Sequence, residues 1–103
     1  MIARIWTGAT RASDAAAYQR HMQETALPGH RTISGNRGVL MLRHDRDDGR
    51  TDFTMITLWD DMVAVRRFAG QDPERAVFYP DDEAFLVERN LQVTHHEAYA
   101  LAL

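Results

Sequence analysis

The chain contains no cysteine and no lysine. Without cysteine there are no disulfides, thiol nucleophiles, thiolate zinc sites or iron–sulfur clusters. Without lysine there is no Schiff-base chemistry, including the ordinary attachment of pyridoxal phosphate. Reactive groups are therefore limited to histidine, carboxylates, tyrosine, arginine and two serines, neither of which lies in a nucleophile motif.

Clustered positive charge and long apolar runs are also absent. The 12 basic residues are all scattered arginines, and the formal net charge is -3. Because nucleic-acid surfaces carry clustered positive charge, we expect no nucleic-acid partner. No run approaches the ~18 apolar residues of a membrane span, and the first residues lack the basic head of a signal peptide. We therefore expect no membrane partner and a cytoplasmic location.

The chain does contain a regular succession of strand and helix patterns. Its 103 residues predict a single domain, 1–103. The predicted elements are a strand over 1–8, a helix over 15–26, strands over 38–44 and 51–59, a helix over 62–69, a short helical segment over 73–79 and a last strand over 91–101. This order is typical of an α+β, ferredoxin-like βαββαβ fold with a four-stranded antiparallel sheet.

Capping residues set the boundaries of the first helix. Ser13 or Asp14 caps its start, and Pro28-Gly29 is expected to stop it. A polar loop is predicted over 30–37, where His30 is placed to form the lip of a cavity.

Similar signals bound the second helical region. Asp60 or Asp61 caps the second helix, and Gly70 suits its left-handed C-terminal position. Asp72-Pro73 places aspartate at a cap and proline at a first helical position, so it predicts the short helical segment that Pro80 ends.

The two central strands are apolar on both faces, which indicates a homodimer. Alternate residues of a strand point to opposite sides of the sheet. In the first of these strands Val39 and Met41 point one way and Leu40 and Leu42 the other. In the next strand Phe53, Met55 and Trp59 point one way and Ile56 and Leu58 the other. Two helices cover only one face, and exposed apolar surface costs roughly 25 cal/mol per Å². We expect a second copy to cover the other face; the alternative is that residues 80–90 fold back over it.

Several motifs carry a likeness to a known family. They are Met1-Ile2-Ala3-Arg4-Ile5-Trp6 with Gly8, Tyr18, Gly35-Asn36-Arg37-Gly38, Thr57-Leu58-Trp59-Asp60, Arg67-Phe68-Ala69-Gly70, Ala76-Val77-Phe78-Tyr79-Pro80-Asp81-Asp82, Phe85-Leu86 and Val93-Thr94-His95-His96-Glu97. In these motifs the chain resembles the antibiotic biosynthesis monooxygenase superfamily of small dimeric α/β-barrel proteins. The resemblance implies the same fold and a homodimer.

The resemblance also implies two chemistries that can be compared with the residues present. Quinone-forming members oxidise polycyclic phenols with O₂ and no cofactor, and Trp59 resembles the tryptophan they carry at the end of the third strand. They have an asparagine where this chain has Met55. Haem-degrading members need an axial histidine downstream of a tryptophan in the second helix. Phe68 and Phe78 occupy those places, and phenylalanine cannot ligate iron, so we expect no cofactor.

Histidines supply the candidate proton acceptors. His95 is the candidate catalytic base towards a phenolic substrate, since an imidazole titrates near neutral pH. The alternative is a structural histidine, hydrogen-bonded within the sheet or the dimer interface. His95 and His96 are strand neighbours that point to opposite faces, so they do not bind one metal easily. No metal motif is present, and we expect no metal. His21 is expected to be a solvated helix residue.

Aromatic residues supply the candidate substrate contacts. Trp59, Tyr79, Phe68 and Phe78 are close in sequence and suited to stacking on a flat aromatic ligand, with Tyr18 as a hydroxyl of the pocket. The alternative for these residues is that they form the core. Asp81-Asp82-Glu83 is interpreted as a helix cap and solvated surface.

These observations favour a cofactor-independent monooxygenase that oxidises a small aromatic or polyketide-like substrate with O₂. A deprotonated substrate would itself give an electron to O₂, and the protein would supply a dry aromatic pocket and a base. Two alternatives remain open. One is a non-catalytic small-ligand-binding or stress-response dimer of the same fold. The other is a polyketide isomerase or cyclase that needs acid–base groups but no O₂.

Overall fold

The succession of strand and helix patterns folds into one antiparallel sheet with helices packed on one side. The computed structural model describes residues 1–102, apart from the side chains of residues 26–31. The strands are β1 (Ile2–Arg11), β2 (Asn36–Asp45), β3 (Arg50–Trp59), β4 (Leu86–Arg89) and β5 (Thr94–Glu97). The helices are α1 (Ala15–Arg31), α2 (Met62–Ala69) and the short α3 (Asp82–Phe85). The predicted α+β class is confirmed.

The sheet has the order β2-β3-β1-β4, and neighbouring strands are antiparallel. This arrangement confirms the predicted ferredoxin-like fold. β4 pairs with the end of β1 at Gly8–Thr10, and β5 pairs with its beginning at Ile2–Ile5. The two short strands share one edge of the sheet, so the single last strand predicted over 91–101 is wrong.

The last strand is divided because the residues before β5 bond elsewhere. Leu91 accepts a backbone hydrogen bond from Ala76 at 2.8 Å, and Val93 donates one to Glu74 at 2.7 Å. The predicted helical segment over 73–79 is therefore wrong as well. The backbone of this segment bonds across to residues 91–93 and not within a helical turn, so tertiary pairing overrides the local signal of Asp72-Pro73.

Strand alternation separates the two faces of the sheet as predicted. Residues 51, 53, 55, 57 and 59 of β3 are buried, whereas residues 52, 54, 56 and 58 are only half-buried. Phe53 and Met55 form one core cluster with Tyr18 and Met22 of α1. Trp59 forms a second cluster with Val65 and its neighbours in α2. The helices therefore cover the odd-numbered face of β3.

The second helix begins and ends at the predicted residues. The Asp61 carboxylate accepts a hydrogen bond from the Ala64 N–H at 2.9 Å and caps the helix. Gly70 ends it with a positive φ of 86°. Gly35 lies against the same helix, because an added Cβ would be 2.5 Å from the Cβ of Ala64. A residue with a side chain at position 35 would push the loop before β2 away from α2.

The first helix is longer than predicted. It continues past Pro28-Gly29 to Arg31, so the expected stop is wrong. An interior proline removes one hydrogen bond and crowds the carbonyl four residues earlier, which weakens or kinks a helix but does not always end it. The predicted loop over 30–37 shrinks accordingly, because β2 already begins at Asn36. The side chain of His30 lies outside the described residues. No described helix is long and apolar enough to cross a membrane.

The other face of the sheet is apolar and open in the single chain. Leu40 and Leu42 are 54% and 50% exposed, and Ile56 lies beside Leu40 across the β2–β3 pair. Residues 80–90 do not cover this face, since Phe85 and Leu86 pack against the cluster beneath α1. The alternative that this segment folds back over the open face is therefore wrong. Dimerisation through it stays a prediction.

We predict that Leu40→Glu converts a dimer into a monomer, because it places a charge in the centre of the open face. Light scattering at matched protein concentration measures the mass. Val63→Glu on α2 is the matched control, since Val63 is 56% exposed, and it should leave the mass unchanged. A monomeric parent protein would show that the prediction is wrong.

The cap of α2 gives a prediction for stability. Asp61→Ala should lower the free energy of unfolding by about 1 kcal/mol, because it leaves the Ala64 N–H without its cap. Asp60→Ala is the control, because within the described residues the Asp60 side chain makes one exposed ion pair, with Arg37 at 3.6 Å. Its loss should change stability by less than about 0.5 kcal/mol. Urea unfolding at one fixed protein concentration measures both variants, and equal losses would contradict the prediction.

Candidate functional site

A cavity lies between the helix-facing side of the sheet, α1 and the segment that precedes α3. A water-sized sphere can occupy about 50 Å³ of it. Its walls carry five aromatic side chains, three polar side chains and four apolar side chains. They are Trp6, Tyr18, Phe68, Phe78 and Tyr79; Arg4, Thr57 and Asp82; and Met22, Met55, Val77 and Val93.

The structure brings together four of the six residues selected from the sequence. Tyr18, Phe68, Phe78 and Tyr79 line the cavity, whereas Trp59 and His95 do not. Trp59 lies behind Phe68, with their rings stacked at 5.3 Å between centroids. Its indole N–H donates to the hydroxyl of Thr57 at 2.9 Å, so Trp59 supports two lining residues and has no surface in the cavity.

Arg4 is a cation in the wall that the sequence analysis did not select. β1 directs Arg4 to the helix side together with Trp6, and the Arg4 side chain is buried, with the residue only 4% exposed. Its guanidinium donates to the carbonyls of Pro73 and Arg75, the latter at 2.8 Å. The sequence did contain a signal that could have identified Arg4 as a site residue, because it is an arginine at an inward-facing position of an otherwise apolar strand.

The charge of Arg4 is not neutralised by a nearby carboxylate. Among the described residues, no carboxylate oxygen lies within 4.0 Å of its guanidinium nitrogens. The ring of Phe68 faces the cation at 5.6 Å. Burial lowers the pKa of Arg4, and the nearby Tyr79 opposes this shift. An arginine side chain nonetheless stays charged in proteins, so the cavity has a cationic wall.

His95 does not line the cavity but contacts Arg4, which does. Its Nε2 is 3.1 Å from Nη1 of Arg4. Since a guanidinium only donates, Nε2 accepts this hydrogen bond, and the imidazole is neutral with its proton on Nδ1. Burial, followed by the positive charge of Arg4, lowers the pKa of His95. The lone pair that a catalytic base would use is therefore directed at Arg4.

His96 lies on the opposite face of β5. It is exposed, and its Nε2 is 3.0 Å from the hydroxyl of Thr94. In the part of the chain that the structure describes, no three His, Cys, Asp or Glu side chains are placed to hold a metal ion.

Asp82 is a second polar wall residue that the sequence analysis missed. It was expected to be solvated, but it is 3% exposed, and that expectation is wrong. One carboxylate oxygen is 2.9 Å from Nε2 of His21, and the other accepts the Tyr79 N–H at 2.7 Å. The expectation of a solvated His21 is also wrong, because its side chain is 14% exposed and packs on Phe85. No local pattern could pair residues 61 positions apart.

The two tyrosines of the wall remain protonated at neutral pH. Burial, followed by the negative charge of Asp82, raises the pKa of Tyr79 to about 12. The same two causes raise the pKa of Tyr18 further. Tyr18 is 1% exposed, and its hydroxyl makes no hydrogen bond within the described residues. A ligand in the cavity would therefore meet Tyr18 as a neutral hydroxyl group.

The position of Trp6 depends on the glycine that follows it on the same face. A Cβ on Gly8 would be 2.4 Å from the ring of Trp6, so only glycine leaves room for the indole. The indole N–H donates to the carbonyl of Asn90 at 2.8 Å, and Phe78 meets the ring edge-on at 6.1 Å. Trp6 is fixed from two sides and forms a rigid wall.

Two methionines separate the cavity from a surface groove between α1 and β2. Met22 and Met55 line the cavity and also line the groove, which offers about 300 Å³. Val39 and Met41 continue the apolar floor of the groove. A methionine side chain changes rotamer more readily than other apolar side chains, so the partition between cavity and groove is made of adaptable groups.

Comparison with known proteins identifies solved structures that have a similar fold. No protein-family model and no curated protein matches the chain. A Bacillus cereus protein described as a candidate antibiotic biosynthesis monooxygenase matches over 98% of this chain and 97% of its own, with TM-score 0.64 and 8% identity. A protein from Pseudomonas aeruginosa matches over 98% and 94%, with TM-score 0.56 and 25% identity. One from Deinococcus radiodurans, described like the first, matches over 96% and 93%, with TM-score 0.58 and 18% identity.

These matches extend over whole chains, so they define a fold and not a shared fragment. The chain has the fold of proteins described as antibiotic biosynthesis monooxygenases, and the resemblance predicted from the sequence is confirmed at that level. The low identities leave the chemistry of the site to be argued from its own residues.

The contact between His95 and Arg4 gives a prediction for pH dependence. His95 should titrate below its ordinary pKa of 6.5. The unfolded chain then binds more protons than the folded chain as the pH falls below 6.5, so this group makes stability decrease on acidification. NMR titration of the imidazole measures the pKa. Arg4→Met removes the adjacent cation and should raise it, and an unchanged pKa in that variant would count against the assigned contact.

Proposed function

We propose that this chain, as a homodimer, binds a small aromatic molecule in the cavity and oxidises it with O₂ without a cofactor. The observation that carries the proposal is the cavity wall, in which five aromatic side chains surround a buried arginine. The likeness in fold to proteins described as antibiotic biosynthesis monooxygenases agrees with it.

The aromatic wall favours a flat, electron-rich ligand. Trp6 and Phe78 meet edge to face, and Phe68 is held from behind by Trp59. Rings fixed in this way present faces and edges on which another ring stacks or packs edge-on. Few polar groups line the same space, which is the usual composition of a small-molecule site.

The proposed reaction uses the substrate as the electron donor. A phenolic substrate passes its hydroxyl proton to the Asp82 carboxylate in the cavity wall, and the resulting phenolate gives an electron to O₂. Overall, the ring loses two hydrogen atoms and gains one oxygen atom as a quinone carbonyl, and the second oxygen atom leaves as water. Arg4 would stabilise the negative charge that the deprotonated substrate delocalises away from its hydroxyl oxygen, in a site with little water, where a fixed charge acts more strongly than in bulk solvent.

Residues outside the wall take supporting roles in this proposal. His95 was the candidate base, but its Nε2 faces Arg4 at 3.1 Å. We assign it to holding the guanidinium in place and keeping it directed at the cavity. Trp59 supports Phe68 and Thr57 in the same way.

Non-catalytic binding by the same dimer is the second candidate function, and it is favoured by the bond of the candidate base, His95 Nε2, to Arg4. The cavity, at about 50 Å³, is small for a ligand site, so movement of its side chains would favour binding of a bicyclic ligand. Met22 and Met55 are the side chains whose rotation would join the cavity to the adjacent groove. A protein that only stores or senses a ligand would need the same opening but no reaction.

Oxygen uptake tests the proposed reaction. With hydroxynaphthalenes as substrates, we expect one O₂ consumed for each quinone formed. Phe78→Leu should lower kcat/KM about 2- to 10-fold, because a ring contact is worth about 0.5–1.5 kcal/mol beyond its area. Tyr99→Leu removes an aromatic ring that is 75% exposed and should change nothing.

The other outcomes of this experiment distinguish the alternatives. Binding of hydroxynaphthalenes without O₂ uptake would support the non-catalytic dimer and reject the monooxygenase. Conversion of a polyketide-like substrate under anaerobic conditions would support the isomerase or cyclase. Failure of any aromatic probe to bind would reject all three functions for this cavity.

A further inference from the structure

We propose that the cavity selects an aromatic molecule that carries both a carbonyl and a hydroxyl group, with the carbonyl bound by Arg4 and the hydroxyl donating to Asp82. Hydroxyquinones and hydroxyaryl ketones belong to this class. The inference rests on the proposed function, because it requires that an aromatic molecule occupy the cavity.

Two N–H groups of the Arg4 guanidinium are available to a ligand. The guanidinium has five N–H groups, and three of them bond to Pro73, Arg75 and His95. The Nε–H and one Nη2–H make no hydrogen bond to any described residue. A hydrogen bond from a charged donor is stronger than one between neutral groups, so a carbonyl oxygen placed at Arg4 would bind favourably.

Asp82 has acceptor capacity left over. Its two oxygens offer about four lone-pair positions, of which His21 and the Tyr79 N–H use two. These two contacts hold the carboxylate in a fixed orientation, because they come from α1 and from the segment before α3. A ligand hydroxyl can donate to a remaining lone pair and form a charge-assisted hydrogen bond.

The two charges line the same cavity without pairing with each other. Both Arg4 and Asp82 are among its wall residues, yet no ion pair within 4.0 Å joins them in the described structure. A ligand that accepts at one end and donates at the other can bridge them. Tyr18, as a neutral hydroxyl in the same wall, can donate to a second ligand oxygen.

The same pair of charges excludes other aromatic molecules. An aromatic carboxylate would gain from Arg4 but would be repelled by Asp82. An aromatic ammonium ion would gain from Asp82 but would be repelled by Arg4. A neutral molecule with one acceptor and one donor can hydrogen-bond to both Arg4 and Asp82, and it brings no further charge into the cavity.

Three naphthalene probes separate the two contacts. They are 6-hydroxy-1,4-naphthoquinone, which has both groups; 1,4-naphthoquinone, which has only carbonyls; and 2-naphthol, which has only a hydroxyl. The chain has no thiol that these quinones would alkylate. Calorimetric titration of the whole protein should give at least 10-fold tighter binding for the hydroxyquinone than for either other probe.

Two variants assign the contacts. Arg4→Met should weaken the two quinones at least 10-fold and leave 2-naphthol within about 3-fold, as expected for a hydrogen bond to a charged group. Asp82→Asn should weaken the hydroxyquinone and 2-naphthol at least 10-fold and leave 1,4-naphthoquinone within the same limit. The matched controls are Arg11→Met, an exposed arginine at the other end of β1, and Asp81→Asn, the exposed aspartate next to Asp82. Neither should change any of the three affinities.

The outcomes separate this inference from the proposed function. Equal affinity of the parent protein for all three probes would overturn the inference and leave aromatic binding intact. No binding of any probe would overturn both. Because Arg4 also holds residues 73 and 75, circular dichroism checks that Arg4→Met folds. If it does not, the comparison of probes on the parent protein and on Asp82→Asn still decides the question.

Discussion

The guanidinium of Arg4 joins the central strand to the segment that closes the cavity. β1 places it on the helix side, and its bonds to the carbonyls of Pro73 and Arg75 hold that segment over the sheet. Residues 77–79 follow directly and supply three of the wall residues. The Arg4 guanidinium donates its hydrogen bonds to backbone carbonyls and not to a carboxylate. These bonds hold in place the segment that closes the cavity.

Much of the fold was predictable from strand alternation and helix caps. The opposite directions of Phe53 and Ile56, and the bounds of α2 between Asp61 and Gly70, depend on local geometry that the sequence expresses directly. The last third was not predictable in this way. Asp72-Pro73 is a sound local signal for a helix, but pairing of residues 74–76 with 91–93 replaced it, and such pairing has no local signature.

Four of the five aromatic residues in the cavity wall were selected from the sequence, whereas Trp6 and the charged residues Arg4 and Asp82 were not. Phe68, Phe78 and Tyr79 were selected because they are close in sequence and suited to stacking on a flat ligand, and Tyr18 was selected as a pocket hydroxyl. Asp82 was missed because its burial depends on His21, which is distant in sequence. His95 was chosen for its chemistry alone, and only the structure shows that Arg4 uses its lone pair. Residue type identifies reactive groups, whereas their availability depends on contacts between distant segments.

The choice of arginine at position 4 has a consequence for regulation. A buried lysine can give up its proton and become neutral, but a guanidinium retains its proton throughout the range in which proteins are folded. The positive charge at Arg4 is therefore retained over the whole pH range in which the protein is folded. Any change in ligand affinity with pH must come from the ligand itself or from other groups beside the cavity, such as His95, whose imidazole bonds to Arg4.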